Sequence, residues 1–168
     1  MTRTDLTRLL ALAGALLVVA CTASSPAPVE DREVETRVRA PAREGNSGIQ
    51  VYPLKNPAVA ELTADAHRAE ASGNFEQATV LLERALRIQP RDPELLQHMA
   101  EVQVERQDWD QALSFAERSY DTGPRVGEIC ARNWRTIALA RERLGDKGGA
   151  REAEDRAQDC PVTPPQRF

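Results

Sequence analysis

A self-similarity of period 34 governs this sequence: Phe75 pairs with Trp109, Ala78 with Ala112, Pro90 with Pro124 and Ala66 with Ala100. Coincidence at one offset marks a chain built from stacked copies of one supersecondary unit, each burying its apolar face on the next. The segments Gly73 to Ala78 and Gln107 to Ala112 read as tight turns that enter a second helix. Leu82, Ala85 and Leu86 then continue an apolar face at helical spacing until Pro90 ends it. Aromatic residues make up only 4% of the chain, and Ala, Leu, Glu and Arg dominate beyond residue 57, which gives strands little to build on. The expected fold is all-α, a short array of helix-turn-helix units over residues 57–168.

These positions resemble the tetratricopeptide repeat, a helix-turn-helix unit with small residues at its eighth, twentieth and twenty-seventh positions and a proline near its end. The resemblance sets units at about 59–92, 93–126 and 131–160. Ala66, Ala100 and Ala138 then occupy the eighth position and Ala78, Ala112 and Ala150 the twentieth, with Trp134, Ile137 and Gly145 at further signature places of the third unit. Small residues are needed where paired helices approach closely, because a larger side chain would overpack the contact. Two departures are informative. Four extra residues around Arg125 to Cys130 lengthen the loop or helix start before the third unit, and Ser119 stands where alanine is usual. Lys147, Glu154 and Gln158 make the outer face of the last helix polar, as a short array needs for solubility.

The first twenty residues carry an address. Arg3 and Arg8 precede the apolar run Leu9 to Ala20, which ends at Cys21. Twelve residues are too few to remain across a bilayer, which needs about 20, so residues 1–20 read as a cleaved secretory segment. Val18, Val19, Ala20 and Cys21 resemble the lipobox of bacterial lipoproteins, in which the cysteine is acylated and becomes the new amino terminus. Thr22 replaces the Asp that would retain such a protein in the inner membrane. The resemblance therefore implies an outer-membrane lipoprotein facing the periplasm, held by its lipid.

Residues 21–56 follow as the lipidated cysteine and a flexible linker, broken by Pro26, Pro28, Pro41 and Pro53 and mixing both charge signs from Glu30 to Arg39. Such a stretch is expected to bury too little apolar surface to offset its ordering entropy. Its extended limit is on the order of 110 Å. Ile49, Val51, Tyr52 and Leu54 stand apart from it, as a lead-in to the first helix or an extended segment over a groove.

Cys130 and Cys160 remain after Cys21 is assigned to lipid. They fall at the start and end of the third hairpin, so a disulfide is geometrically plausible in an oxidising compartment, with two free thiols as the other possibility. His67 and His98 lie outside any metal-ligand spacing and read as surface groups. No nucleophile, metal or cofactor constellation is present in the sequence, so no catalytic residues, metal or cofactor are assigned. With Arg3, Arg8 and Asp5 removed, the 22 basic and 26 acidic side chains become 20 and 25, a sign that argues against nucleic acid.

The expected function is accordingly protein binding rather than catalysis. Resemblance to tetratricopeptide arrays implies that a partner lies along the face of the first helices. The matching positions are Thr63, His67 and Glu70, then Glu94, Gln97, Glu101 and Glu105, then Arg132, Arg135, Glu142 and Arg143. Anchor, tether and short repeat domain together look like the lipoprotein activators of class A penicillin-binding proteins, the peptidoglycan synthases. The alternative that the resemblance implies is a lipoprotein scaffold for type IV pilus or other envelope-complex assembly. The anchor has a direct test: Cys21→Ser should move the protein from the outer-membrane fraction to the soluble periplasm on fractionation, and unchanged retention contradicts the lipid assignment.

Overall fold

The computed structural model describes residues 33–39 and 56–160. Residues 1–20, expected to be a signal segment, Cys21 and the apolar residues Ile49 to Leu54 lie outside the described residues. The described residues form one π-helical turn, Val34–Val38, and six α-helices: α1 (Pro57–Ala71), α2 (Phe75–Ile88), α3 (Pro93–Glu105), α4 (Trp109–Thr122), α5 (Gly127–Arg143) and α6 (Lys147–Gln158). They pair as three hairpins, α1 with α2, α3 with α4 and α5 with α6, and each hairpin packs on the next. None of the described helices is long and apolar enough to cross a membrane.

The periodicity is written in the turns. Each second helix starts at an Asx cap whose side chain accepts the backbone N–H three residues on: Asn74 from Gln77, Asp108 from Gln111 and Asp146 from Gly149. Such a cap satisfies an amide that the helix itself leaves unpaired. The residue before each cap takes a left-handed backbone, with φ of 74° at Gly73, 60° at Gln107 and 88° at Gly145. Glycine enters that region without cost, whereas Gln107 holds it as a side-chain-bearing residue.

All six alanines at the eighth and twentieth positions are buried. Ser119 keeps its place by donating a hydrogen bond from Oγ to the Pro93 carbonyl at 2.7 Å, so its hydroxyl is satisfied inside the hairpin contact. The end of α4 lies so close to the start of α3 that a Cβ on Gly123 would sit 2.8 Å from Pro93 Cβ. One core gathers Val59, Leu82, Leu95, Met99 and Val102. A second gathers Trp134, Ile137, Ala116 and Ala153. The extra residues before the third unit lengthen α5, which spans 17 residues against 13 for α3. Cys130 on that added turn and Cys160 after α6 form a disulfide with Cα atoms 5.8 Å apart. Lys147, Glu154 and Gln158 are exposed on α6.

The expectation of a featureless linker fails for residues 33–39. Val34 and Val38 stand four residues apart and are both buried, and their turn packs on α3 and α5. Two apolar residues one turn apart suffice for docking when a ready-made apolar surface receives them, a gain that composition averaged over the linker conceals.

The turn geometry makes a paired prediction. A Cβ on Gly73 would meet nothing within 4 Å, so Gly73→Ala should cost roughly 1 kcal/mol through backbone strain alone. Gln107→Gly should instead be neutral or stabilise by up to about 1 kcal/mol. Urea unfolding of both variants checks the opposite signs.

Candidate protein-binding groove

Helical spacing brings polar residues of the first helices to a common inner face. Gln97 and Glu101 lie one turn apart on α3, and Arg132 and Thr136 one turn apart on α5. Gln97 Nε2 donates to Glu101 Oε1 at 2.9 Å and to Thr136 Oγ1 at 2.8 Å. Arg132 donates to the same Glu101 oxygen from Nε at 2.9 Å and again from Nη2. The Glu101 side chain is 0% exposed. A carboxylate so buried is tolerated only with its oxygens filled by donors.

The donor for its other oxygen comes from the docked turn. Arg39 Nε donates to Glu101 Oε2 at 2.6 Å, Nη1 reaches Glu35 at 2.7 Å, and Nη2 lies 3.7 Å from Glu70 Oε1 on α1. Burial pulls the Arg39 pKa down, but the charges of Glu101 and Glu70 outweigh it and raise the guanidinium above its ordinary value. Arg135 Nε donates to the Val38 carbonyl at 2.6 Å and its Nη2 to Glu128. Arg37 pairs with Glu142, and Arg143 pairs with Glu33 while lying over the Trp109 ring. Between these polar ends Val34 and Val38 share an apolar cluster with Val104, Ala112, Leu139 and Ala140.

Magnitudes show how firmly the turn is held. Burying two valines contributes roughly 3 to 5 kcal/mol, and the charge-assisted bonds of Arg39 and Arg135 about 3 to 6 kcal/mol together. Ordering seven residues costs about 7 kcal/mol or more. The terms nearly cancel, so the turn is held by a few kcal/mol at most.

Beside Arg39 a second group forms. Glu70 Oε2 lies 3.2 Å from His67 Nδ1, and Glu70 Oε1 lies 3.0 Å from His98 Nε2. The two imidazoles stack with centroids 4.2 Å apart. His98 is thus buried against α1 rather than a surface group, and the two histidines share a cluster that their sequence spacing conceals. Their ligand atoms and that of Glu70 lie within 4.8 Å of one another, so these three could approach a metal ion. Arg39 already sets a cation beside Glu70.

Comparison with known proteins gives this geometry its context. The tetratricopeptide repeat model matches residues 69–119. The globular C-terminal domain of LpoP from P. aeruginosa is 34% identical, superposes with a TM-score of 0.58, and is matched over 99% of its length by 62% of this chain. The chain belongs to the tetratricopeptide repeat family. The Sgt2 tetratricopeptide domain from Aspergillus fumigatus is 25% identical, with a TM-score of 0.58, coverage of 62% of this chain and 67% of that one. None of the curated proteins matches this sequence.

In this tetratricopeptide array the residues expected along the first helices divide in two. Glu70, Gln97, Glu101, Arg132, Arg135, Glu142 and Arg143 join the network that holds residues 33–39. His67 joins it through Glu70. Thr63 turns its hydroxyl to the Val59 carbonyl at 2.8 Å. Glu94 and Glu105 sit in the first turn and at the last residue of α3, half-buried, about 16 Å apart along the axis. Sequence reasoning passed over Glu33, Arg37 and Arg39. Their signal was local: Glu33 with Arg37 and Glu35 with Arg39 are Glu-to-Arg pairs at the i, i+4 spacing that supports a helical turn.

The Glu70 carboxyl gives the site a pH signature. Burial pushes its pKa up, but hydrogen bonds from His67 and His98 and the charges of His98 and Arg39 prevail and hold it at about 2, against an ordinary 4.5. A depressed folded-state pKa stabilises the fold above the ordinary value, and that contribution is lost as pH falls toward 2. Glu70→Gln should therefore be less stable than wild type near neutrality, by on the order of 2 to 3 kcal/mol, and the gap should close between pH 4.5 and 2. Unfolding midpoints across that range check it.

Proposed function

We propose that this chain is a lipid-anchored interaction module of the bacterial outer membrane, facing the periplasm, that binds a class A penicillin-binding protein and stimulates its peptidoglycan synthesis. The observation that carries the reading is the match over 99% of the LpoP globular domain. That domain is C-terminal in its protein, and the repeats here likewise follow a long N-terminal stretch. The layout of Cys21, linker and three repeats resembles that of the synthase activators.

The physics of the parts fits. With residues 33–39 docked, the stretch from Cys21 to Glu33 extends about 40 Å at most, which carries the domain away from its anchoring membrane toward an enzyme held in the other. The inner face offers alternating carboxylates and guanidinium groups rather than a nucleophile with its base, so the work of such a surface is recognition. Charged groups at an interface act mainly on encounter rate and partner choice.

Arg132 and Arg135 are not the freely solvated charges that their first-helix positions suggest. Their side chains are 28% and 22% exposed, and reversing Arg132 would set a second carboxylate beside buried Glu101. That should cost several kcal/mol of stability, so the unaltered chain is the informative reagent. Added to a class A synthase from the same cell, it should raise glycan polymerisation or cross-linking, most strongly at low ionic strength, and should neither build nor cleave peptidoglycan alone. Failure to bind or stimulate any class A synthase of that cell overturns the proposal.

A further inference from the structure

We infer that residues 33–39 are a built-in ligand of the groove, and that the partner segment which replaces them carries the same chemistry. That chemistry is two branched aliphatic side chains one turn apart, an arginine directly after the second and an acidic residue before the first. The inference deepens the protein-binding reading above and rests on it only for there being a partner.

Any segment that covers this face must meet its charges. Without the turn, Glu101 Oε2 loses the Arg39 donor, Glu70 loses the Arg39 guanidinium, and Arg135 loses the Val38 carbonyl. Glu101 is 0% exposed with the turn in place, so a segment that covers it again must bring a cation to Oε2, since a re-buried carboxylate without a donor is costly. The pocket of Val104, Leu139 and Ala140 asks for compact aliphatic groups beside it. Arg143, which meets Glu33 at the other end, asks for an acid and so fixes the direction in which a segment lies.

The docked turn is not required by the repeats. The two larger cores contain none of its residues. Its hold on the groove is close to balance, and the sixteen residues from 40 to 55 keep it attached. Attachment supplies an effective concentration of millimolar order, so a segment arriving in trans competes against the chain's own. Its apparent affinity falls by the fraction of molecules whose groove is open.

The test uses the full-length chain in detergent, as wild type and with Val38→Asp and Arg39→Glu together. Both positions lie outside the six helices, so the helical circular dichroism of the variant should match wild type. A fluorescent peptide of residues 31–41 should bind the variant at least about tenfold more tightly than wild type, and the same peptide carrying Arg39→Glu should bind neither. Selection of displayed random peptides on the variant should enrich an aliphatic pair at i and i+4 followed by arginine, and wild type should enrich none. Equal binding to both chains, no binding to either, or enrichment of peptides without that pattern overturns the inference. A wild-type dimer that the double variant makes monomeric also overturns it, by placing a second copy's segment in the groove. No readout involves a synthase, so failure here leaves the activator reading standing, and failure of stimulation leaves these results standing.

Discussion

Two helices approach closely only where neither carries bulk at the contact, and this constraint underlies everything else in the chain. Ala66, Ala78, Ala100, Ala112, Ala138 and Ala150 supply it at regular intervals, and all are buried. Because the hairpins close tightly, the first helices of successive units stand near enough for side chains on neighbouring helices to bond directly. Gln97 reaches Thr136, Glu101 reaches Arg132, and His98 reaches Glu70. A polar inner face thus follows from small residues elsewhere.

That inner face is where energetics turns into recognition. A buried ion pair contributes little net stability against a hydrophobic alternative, yet an unpaired buried charge is costly. Glu101 therefore acts less as a brace than as a demand for cations: Arg132 meets it from within the array and Arg39 from outside it. Glu70 repeats the arrangement more gently, with two imidazoles from the array and the same guanidinium from outside. Two carboxylates on successive first helices thus converge on one arginine. The valines beside it add affinity with little directional preference, and the charges at both ends set the orientation.

The fold was legible because its determinants are local and periodic. Caps at Asn74, Asp108 and Asp146, left-handed residues one step earlier and small residues at fixed offsets each follow from neighbours a few positions away. The site was legible only in part. Register alone placed Glu70, Glu101, Arg132 and Arg135 on first helices, but it implied solvated side chains, whereas Glu101 is buried among three partners. The histidines were separated in the sequence reading because 31 positions divide them, just as they divide Glu101 from the Arg132 that it pairs with.

The sequence by itself determined the helical repeat, its three units and the small residues at their contacts, since backbone hydrogen bonding and hairpin packing depend on short, recurring spacings. Only the tertiary structure decided that Val34, Val38 and Arg39 leave the linker to lie on α3 and α5. Arg135 meets the Val38 carbonyl across 97 positions and Arg37 meets Glu142 across 105. No periodicity records such a contact. It exists because a folded surface offers buried carboxylates and an apolar pocket together, and neither is present until the hairpins have packed.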